Sequence, residues 1–163
     1  MIESVREERT LFDTDIRDRA DELAATAVAL RAERQYNCAQ AVACALAPEI
    51  DADPEACFRL SEAFGAGMGG HRETCGAISG GIMALGWVRS GGTEAAGATK
   101  RASYALADEL VERFREKNGA TACCELKGIG CEHGMLRSCP GCIEDATRMT
   151  IDILAAYREG ERG

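Results

Sequence analysis

Nine cysteines in 163 residues are the chemistry-bearing feature of this chain. A thiol does chemistry as its thiolate, the form that attacks a disulfide or binds a metal. The start of a helix favours that form, because unpaired N–H groups and the positive end of the helix dipole lie there. Cys75 directly follows the capping residue Thr74, and Cys38 follows Asn37 in the same way. Cys139 precedes Pro140 at a further expected helix start, and Cys123 follows Thr121 near the start of a short turn, Ala122 to Lys127. Gly69, Gly70 and Gly76 leave the backbone around Cys75 open to close approach, and His71 and Arg72 lie just upstream. These features centre the chemistry on Cys75 as the attacking thiolate, with Cys38 as its resolving partner.

The remaining cysteines divide by position. Cys44 and Cys57 fall mid-helix among apolar neighbours and read as small buried hydrophobes. Cys139-Pro140-Gly141-Cys142 is a C-x-x-C. A c-type haem site needs His next, where residue 143 is Ile; a thioredoxin-like site needs a βαβ pattern, which is missing. A zinc or iron–sulfur ligand pair stays open, completed by Cys123, Cys131 or His133. Cys38, Cys75, Cys123 and Cys139 form an alternative metal-ligand set of four thiolates, with Cys142, Cys131 and His133 as alternates. Which of Cys139 and Cys142 is the functional thiol stays open at this level.

The elements that must position these thiols read as helices. From Asp15 to about Arg34, Ile16, Ala20, Leu23, Ala27 and Leu30 recur at steps of three and four, one apolar stripe among charges. Asn37 with Gln40 three residues later opens a second helix, Cys38 to Ala47, apolar nearly all round and stopped by Pro48. Asp53-Pro54-Glu55 starts a third, with Cys57, Leu60 and Phe64 expected inward, ending in the glycine-rich 65–70 segment. A fourth runs Cys75 to Val88 under the Thr74 cap, and a fifth from Thr93 to Lys117, closed by Asn118-Gly119. The last spans about Pro140 to Tyr157. Residues 1–14 read as a frayed arm, and Ala120 to Cys139 as an irregular cysteine-rich segment. No stretch alternates with a period of two. The expectation is an all-α fold: a compact single-domain bundle of about six helices over residues 1–163.

Composition bounds the function. Aromatics are only 5% of the chain, so close-packed alanine and glycine must build much of the core. A net charge of −8 with no dense basic patch argues against nucleic acid. No apolar run reaches membrane-spanning length, and the charged start, Met1 to Arg9, is not a secretory signal. The expected location is therefore cytoplasmic, where nine thiols do not read as a disulfide framework. No Ser/His/acid set, phosphate-cradling P-loop or Rossmann fingerprint is present.

Asn37-Cys38-Ala39-Gln40, then Phe64-Gly65-Ala66-Gly67-Met68-Gly69, then Thr74-Cys75-Gly76-Ala77-Ile78-Ser79-Gly80 resemble the C_GCAxxG_C_C family of redox-active proteins. Cys123-Cys124-Glu125-Leu126 is similar to the family's third cysteine block, and Cys139-Pro140-Gly141-Cys142-Ile143-Glu144-Asp145-Ala146 to its fourth. The resemblance covers about Asn37 to Leu154. Carried over position by position, it implies Cys38, Cys75, Cys123 and Cys139 as the family cysteines, a redox role, and a bound prosthetic group such as an iron–sulfur cluster. Cys124, Cys131 and Cys142 are additions to the family pattern.

Three functions follow as expectations. The first is thiol–disulfide chemistry centred on Cys75, an oxidoreductase with a redox partner that the sequence does not name. The second is a metal or iron–sulfur protein built on converging cysteines. The third is a helical assembly module, a homodimer joined through the alanine–glycine face of Cys75 to Val88 or the stripe from Ile16 to Leu30.

Overall fold

The computed structural model describes residues 15–162, so the expected arm over 1–14 lies outside the described residues. Seven α-helices follow one another: α1 Ala20–Arg34, α2 Cys38–Leu46, α3 Pro54–Ser61, α4 Gly76–Arg89, α5 Lys100–Asn118, α6 Cys123–Lys127 and α7 Cys139–Arg162. Short 3-10 turns lead into α1 and follow α2 and α3. Among the described residues there is no strand; Thr74 and Ala122 form an isolated antiparallel bridge. The fold is all-α.

α2 is the hub. Every residue of it except Cys44 is buried, and α1, α3, α4 and α7 all pack on it. Its start is fixed as the sequence implies: the Asn37 side chain accepts from the N–H groups of Ala39 and Gln40, and Gln40 Oε1 accepts from Asn37 N at 3.0 Å. Alanine on α2 and glycine on α4 let the two backbones nearly touch; a Cβ on Gly80 would lie 2.5 Å from the Ala39 carbonyl oxygen. On α4's other side, Gly81 faces Thr150 of α7 and Leu110 of α5. Ile16, Leu23 and Ala27 are buried against the same core. Both surfaces expected as subunit interfaces are thus used within the chain. Leu46, Ile78, Leu85, Leu110, Phe114, Ile143 and Leu154 fill the centre, each worth roughly 1.5–3 kcal/mol of burial.

Pro48 ends α2 as expected and lies in a 3-10 turn, Ala47–Ile50. Three local expectations are corrected. Leu60 and Phe64 do not face the core: they are 67% and 37% exposed. α3 has only eight residues and rests on α2 through the side holding Cys57 and Ser61, while Phe58 meets Tyr36 edge-on with centroids 4.9 Å apart. The fifth helix begins at Lys100, because Thr93–Ala95 forms a separate 3-10 turn and Gly97 takes φ +82°. Finally, Thr74 does not cap α4. Its backbone is committed to the bridge with Ala122, and Cys75 itself is the N-cap.

Candidate functional site

Four cysteines stand at four helix starts. Cys38, Cys123 and Cys139 are the first residues of α2, α6 and α7, and Cys75 caps α4. These helices begin at one end of the bundle, around a cavity of about 150 Å³ that Cys38, Cys75, Cys123, Cys139 and Cys142 all line. The loops that close it are pinned by backbone pairing: Cys75 N donates to Thr121 O at 2.8 Å, and Cys123 N to Glu73 O at 2.9 Å. Two glycines set the approach distances. A Cβ on Gly76 would overlap the Cys38 sulfur and lie 2.9 Å from the Phe64 carbonyl oxygen. Gly67, at φ +56°, lies where a Cβ would come within 2.6 Å of Cys123 Cβ.

The segment around Gly67, from Ala66 to His71, is strained. Ala66, Met68 and His71 all adopt left-handed φ, at 52°, 59° and 63°, a conformation that costs non-glycine residues about 1 kcal/mol or more each. The strain places useful groups. The Ala66 N–H donates to the Cys38 sulfur, and His71 Nδ1 lies 3.7 Å from Cys123 Sγ.

The thiols pair otherwise than the sequence suggests. Cys38 and Cys139 lie close enough to act on each other's protonation, and so do Cys75 and Cys142. The Cys38 thiol is pushed far above the ordinary thiol range, first by Cys139, then by burial and by the nearby Cys75; the Ala66 N–H only partly opposes this. Cys139 moves the other way, down to about 5. Cys38 is the largest cause; against burial, the charges of Arg31 and Lys127 and a hydrogen bond from Arg31 act in the same direction. The two thiols titrate as a coupled pair, in which the nearby cations favour a thiolate on Cys139 and burial favours a proton on Cys38.

At Cys75 the surroundings act against the expected thiolate. Its thiol is held strongly protonated, first by Cys142 and then by burial, and the Ala77 N–H at the start of α4 is too little to reverse this. A helix start lowers a thiol's pKa only while the sulfur keeps contact with water or a cation; Cys75 is buried against other sulfurs. Burial also raises Cys123, opposed by Lys127.

The alternates separate. Cys142 lines the cavity, whereas Cys131 and His133 do not. Cys131 Sγ contacts Ile129 O at 3.6 Å, and the exposed His133 ring bonds to Gly134 O at 2.7 Å. Cys44 and Cys57 are half-buried, and burial together with the neighbouring Cys57 raises Cys44 to about 11. The sequence reading missed three cations at the cavity: Arg31, Lys127 and Arg137. No local signal marks them, since they come from a helix C-terminus, a five-residue helix and a loop. Cys142 did carry a signal: residues three apart at a helix start share one face, which puts Cys139 and Cys142 on the same wall.

Arg137 is fixed by a buried carboxylate. Asp145, with a side chain 1% exposed, accepts from Arg137 Nε at 3.0 Å and Nη2 at 3.1 Å, and from Lys117 Nζ at 2.6 Å. Burial alone would raise the Asp145 carboxyl, but the two cations outweigh it and hold it below the usual range.

Soft thiolates are the donors that zinc and iron–sulfur clusters take. As arranged, however, no group of three or more Cys, His, Asp or Glu side chains among the described residues is placed to hold a metal ion. The sulfurs are engaged two by two, so the residues do not fit such a group in this arrangement.

Residues 36–153 match the family model described as "Putative redox-active protein (C_GCAxxG_C_C)". The chain belongs to this family. The match takes in all five cysteines of the cavity. Comparison with the curated proteins and with the solved structures finds no match. Among the described residues no helix is long and apolar enough to cross a membrane.

Proposed function

We propose that this C_GCAxxG_C_C protein is a thiol–disulfide oxidoreductase whose reactive pair is Cys139 and Cys38. The observation that carries the reading is that Cys38 and Cys139 line one cavity with Arg31 and Lys127, whose charges favour the Cys139 thiolate. Cys139 Sγ attacks one sulfur of a substrate S–S bond. That bond breaks, the distal sulfur leaves as a thiolate, and a mixed disulfide forms at Cys139. Cys38 then gives up its proton and attacks Cys139 Sγ, which releases the second substrate thiolate. The two protein thiols are oxidised by two electrons and the substrate disulfide is reduced by two. The attacking role thus passes from Cys75 to Cys139, and Cys38 is the resolving thiol. Because the low pKa of Cys139 makes it a good leaving group, the Cys38–Cys139 disulfide would itself be readily reduced by an incoming thiolate. Cys75 and Cys142 form a second pair that lines the same cavity.

Peptide mapping by mass spectrometry after reaction with 2-hydroxyethyl disulfide tests this. The wild-type chain should yield a Cys38–Cys139 disulfide, and Cys38→Ser should trap the mixed disulfide on Cys139. First modification at Cys44, Cys124 or Cys131 would overturn the assignment.

A further inference from the structure

We infer that the cysteine cavity is an anion site, and that the oxidant it takes is a small anionic compound carrying a sulfane sulfur, of the thiosulfate type. The inference rests on the thiol reading above and adds the substrate class. Size is the first argument. A cavity of about 150 Å³ holds roughly five waters, at about 30 Å³ of liquid volume each. That accommodates an oxyanion of a few heavy atoms beside the sulfur of Cys139, which is half-buried.

Charge is the second. The chain has 27 acidic residues against 19 basic, yet no carboxylate is among the residues lining the cavity. Of its three cations, Arg137 is neutralised by Asp145. Arg31 and Lys127 have no ion pair among the described residues, and both act on Cys139. Two positive charges against one thiolate leave a net positive charge at the sulfur, enough to offset the repulsion that a thiolate exerts on an approaching anion. Arg31 is exposed and Lys127 half-buried, so both can meet a solute entering from solvent.

Reactivity is the third. A thiolate flanked by a protonated thiol is equipped to attack sulfur, so the electrophilic atom of the anion is a sulfur bonded to a good leaving group. Cys139 Sγ attacks the outer sulfur of thiosulfate; the S–S bond breaks and sulfite leaves with the electron pair. Cys38 loses its proton and attacks Cys139 Sγ of the resulting persulfide, and hydrosulfide leaves with the pair of that bond. The two cysteine sulfurs are oxidised to a disulfide, and the sulfane sulfur is reduced to hydrosulfide, which carries the one proton that Cys38 gave up, while sulfite leaves as the dianion.

Two probes of near-equal shape test the anion site: iodoacetate and iodoacetamide. The ratio of their alkylation rates at Cys139, relative to the same ratio in the urea-unfolded chain, should be raised about tenfold, the order expected for one excess charge at partly screened range. Arg31→Gln with Lys127→Gln should return it to within about twofold of the unfolded value. The ratio cancels any change in the thiolate fraction, which affects both reagents alike. In Cys38→Ser, thiosulfate should leave Cys139 heavier by one sulfur atom, with release of sulfite. A ratio equal to that of the unfolded chain, or no sulfur transfer from thiosulfate, overturns the inference. If 2-hydroxyethyl disulfide still oxidises the Cys38–Cys139 pair in that event, the thiol reading stands and the substrate class alone has failed.

Discussion

The sulfur of Cys38 occupies the space that a side chain on Gly76 would take. Gly76 is the first residue of α4 and Cys38 the first of α2, so the absence of one Cβ lets one helix start deliver its thiol across the other to Cys139. Replacing this glycine with alanine forces Cys38 Sγ, or the Phe64 carbonyl 2.9 Å away, to move. We expect Gly76→Ala to cost about 1–3 kcal/mol in denaturant unfolding. It should also raise the apparent pKa of Cys139 in alkylation profiles. A variant with unchanged stability and an unchanged profile would show that Cys38 has room elsewhere.

The Cys38–Cys139 pair should titrate as a unit. Thiolate absorbance in the ultraviolet should show one sulfur ionising near pH 5, where Cys139 is held. Cys38→Ala removes the largest cause of that shift, so the midpoint should rise by at least one unit toward the ordinary value of about 8.5. The sign for stability follows. A thiol whose pKa is depressed on folding contributes stability that is fully present above its unfolded pKa and lost as pH falls through about 5. The wild type should therefore lose stability between about pH 8.5 and 5 relative to Cys38→Ala.

Cys75 has the opposite sign. Its proton is retained in the fold at pH values where the unfolded chain has released it. Stability should fall as pH rises above the ordinary thiol pKa of about 8.5, and Cys75→Ser should flatten that decline by up to about 1.4 kcal/mol per pH unit, the slope for one proton. Urea midpoints from pH 8 to 10 measure this, and parallel slopes in the two proteins would count against a protonated, buried Cys75.

Asp145 ties the cysteine segment to α7 through Arg137 and reaches α5 through Lys117. Asp145→Asn leaves two partly exposed cations facing a neutral amide and should cost about 1–3 kcal/mol. Its carboxyl is depressed in the fold, so its contribution is present above the usual carboxylate pKa and lost as pH falls through the folded value. Acid unfolding should be less steep in the variant, and equal acid midpoints would indicate that Asp145 carries none of that dependence.

Local signals in the sequence determined much of this protein. The Asn37–Gln40 capping box, the Asp53-Pro54 start and the Gly119 stop act within a few residues of themselves and form as expected. The same locality placed Cys38, Cys75, Cys123 and Cys139 at helix starts. Leu60 and Phe64 show where periodicity ends as a guide, because α3 is too short for its stripe to be covered on all sides. Only the tertiary structure brings together the groups that bear on each thiol's ionisation. The helix start that should activate Cys75 is overridden once its sulfur is buried against Cys142, while Cys139 meets Arg31 from α1, Lys127 from α6 and a proton from α2. A pKa depends on burial and on charges brought from distant parts of the chain, and no spacing in the sequence encodes those distances.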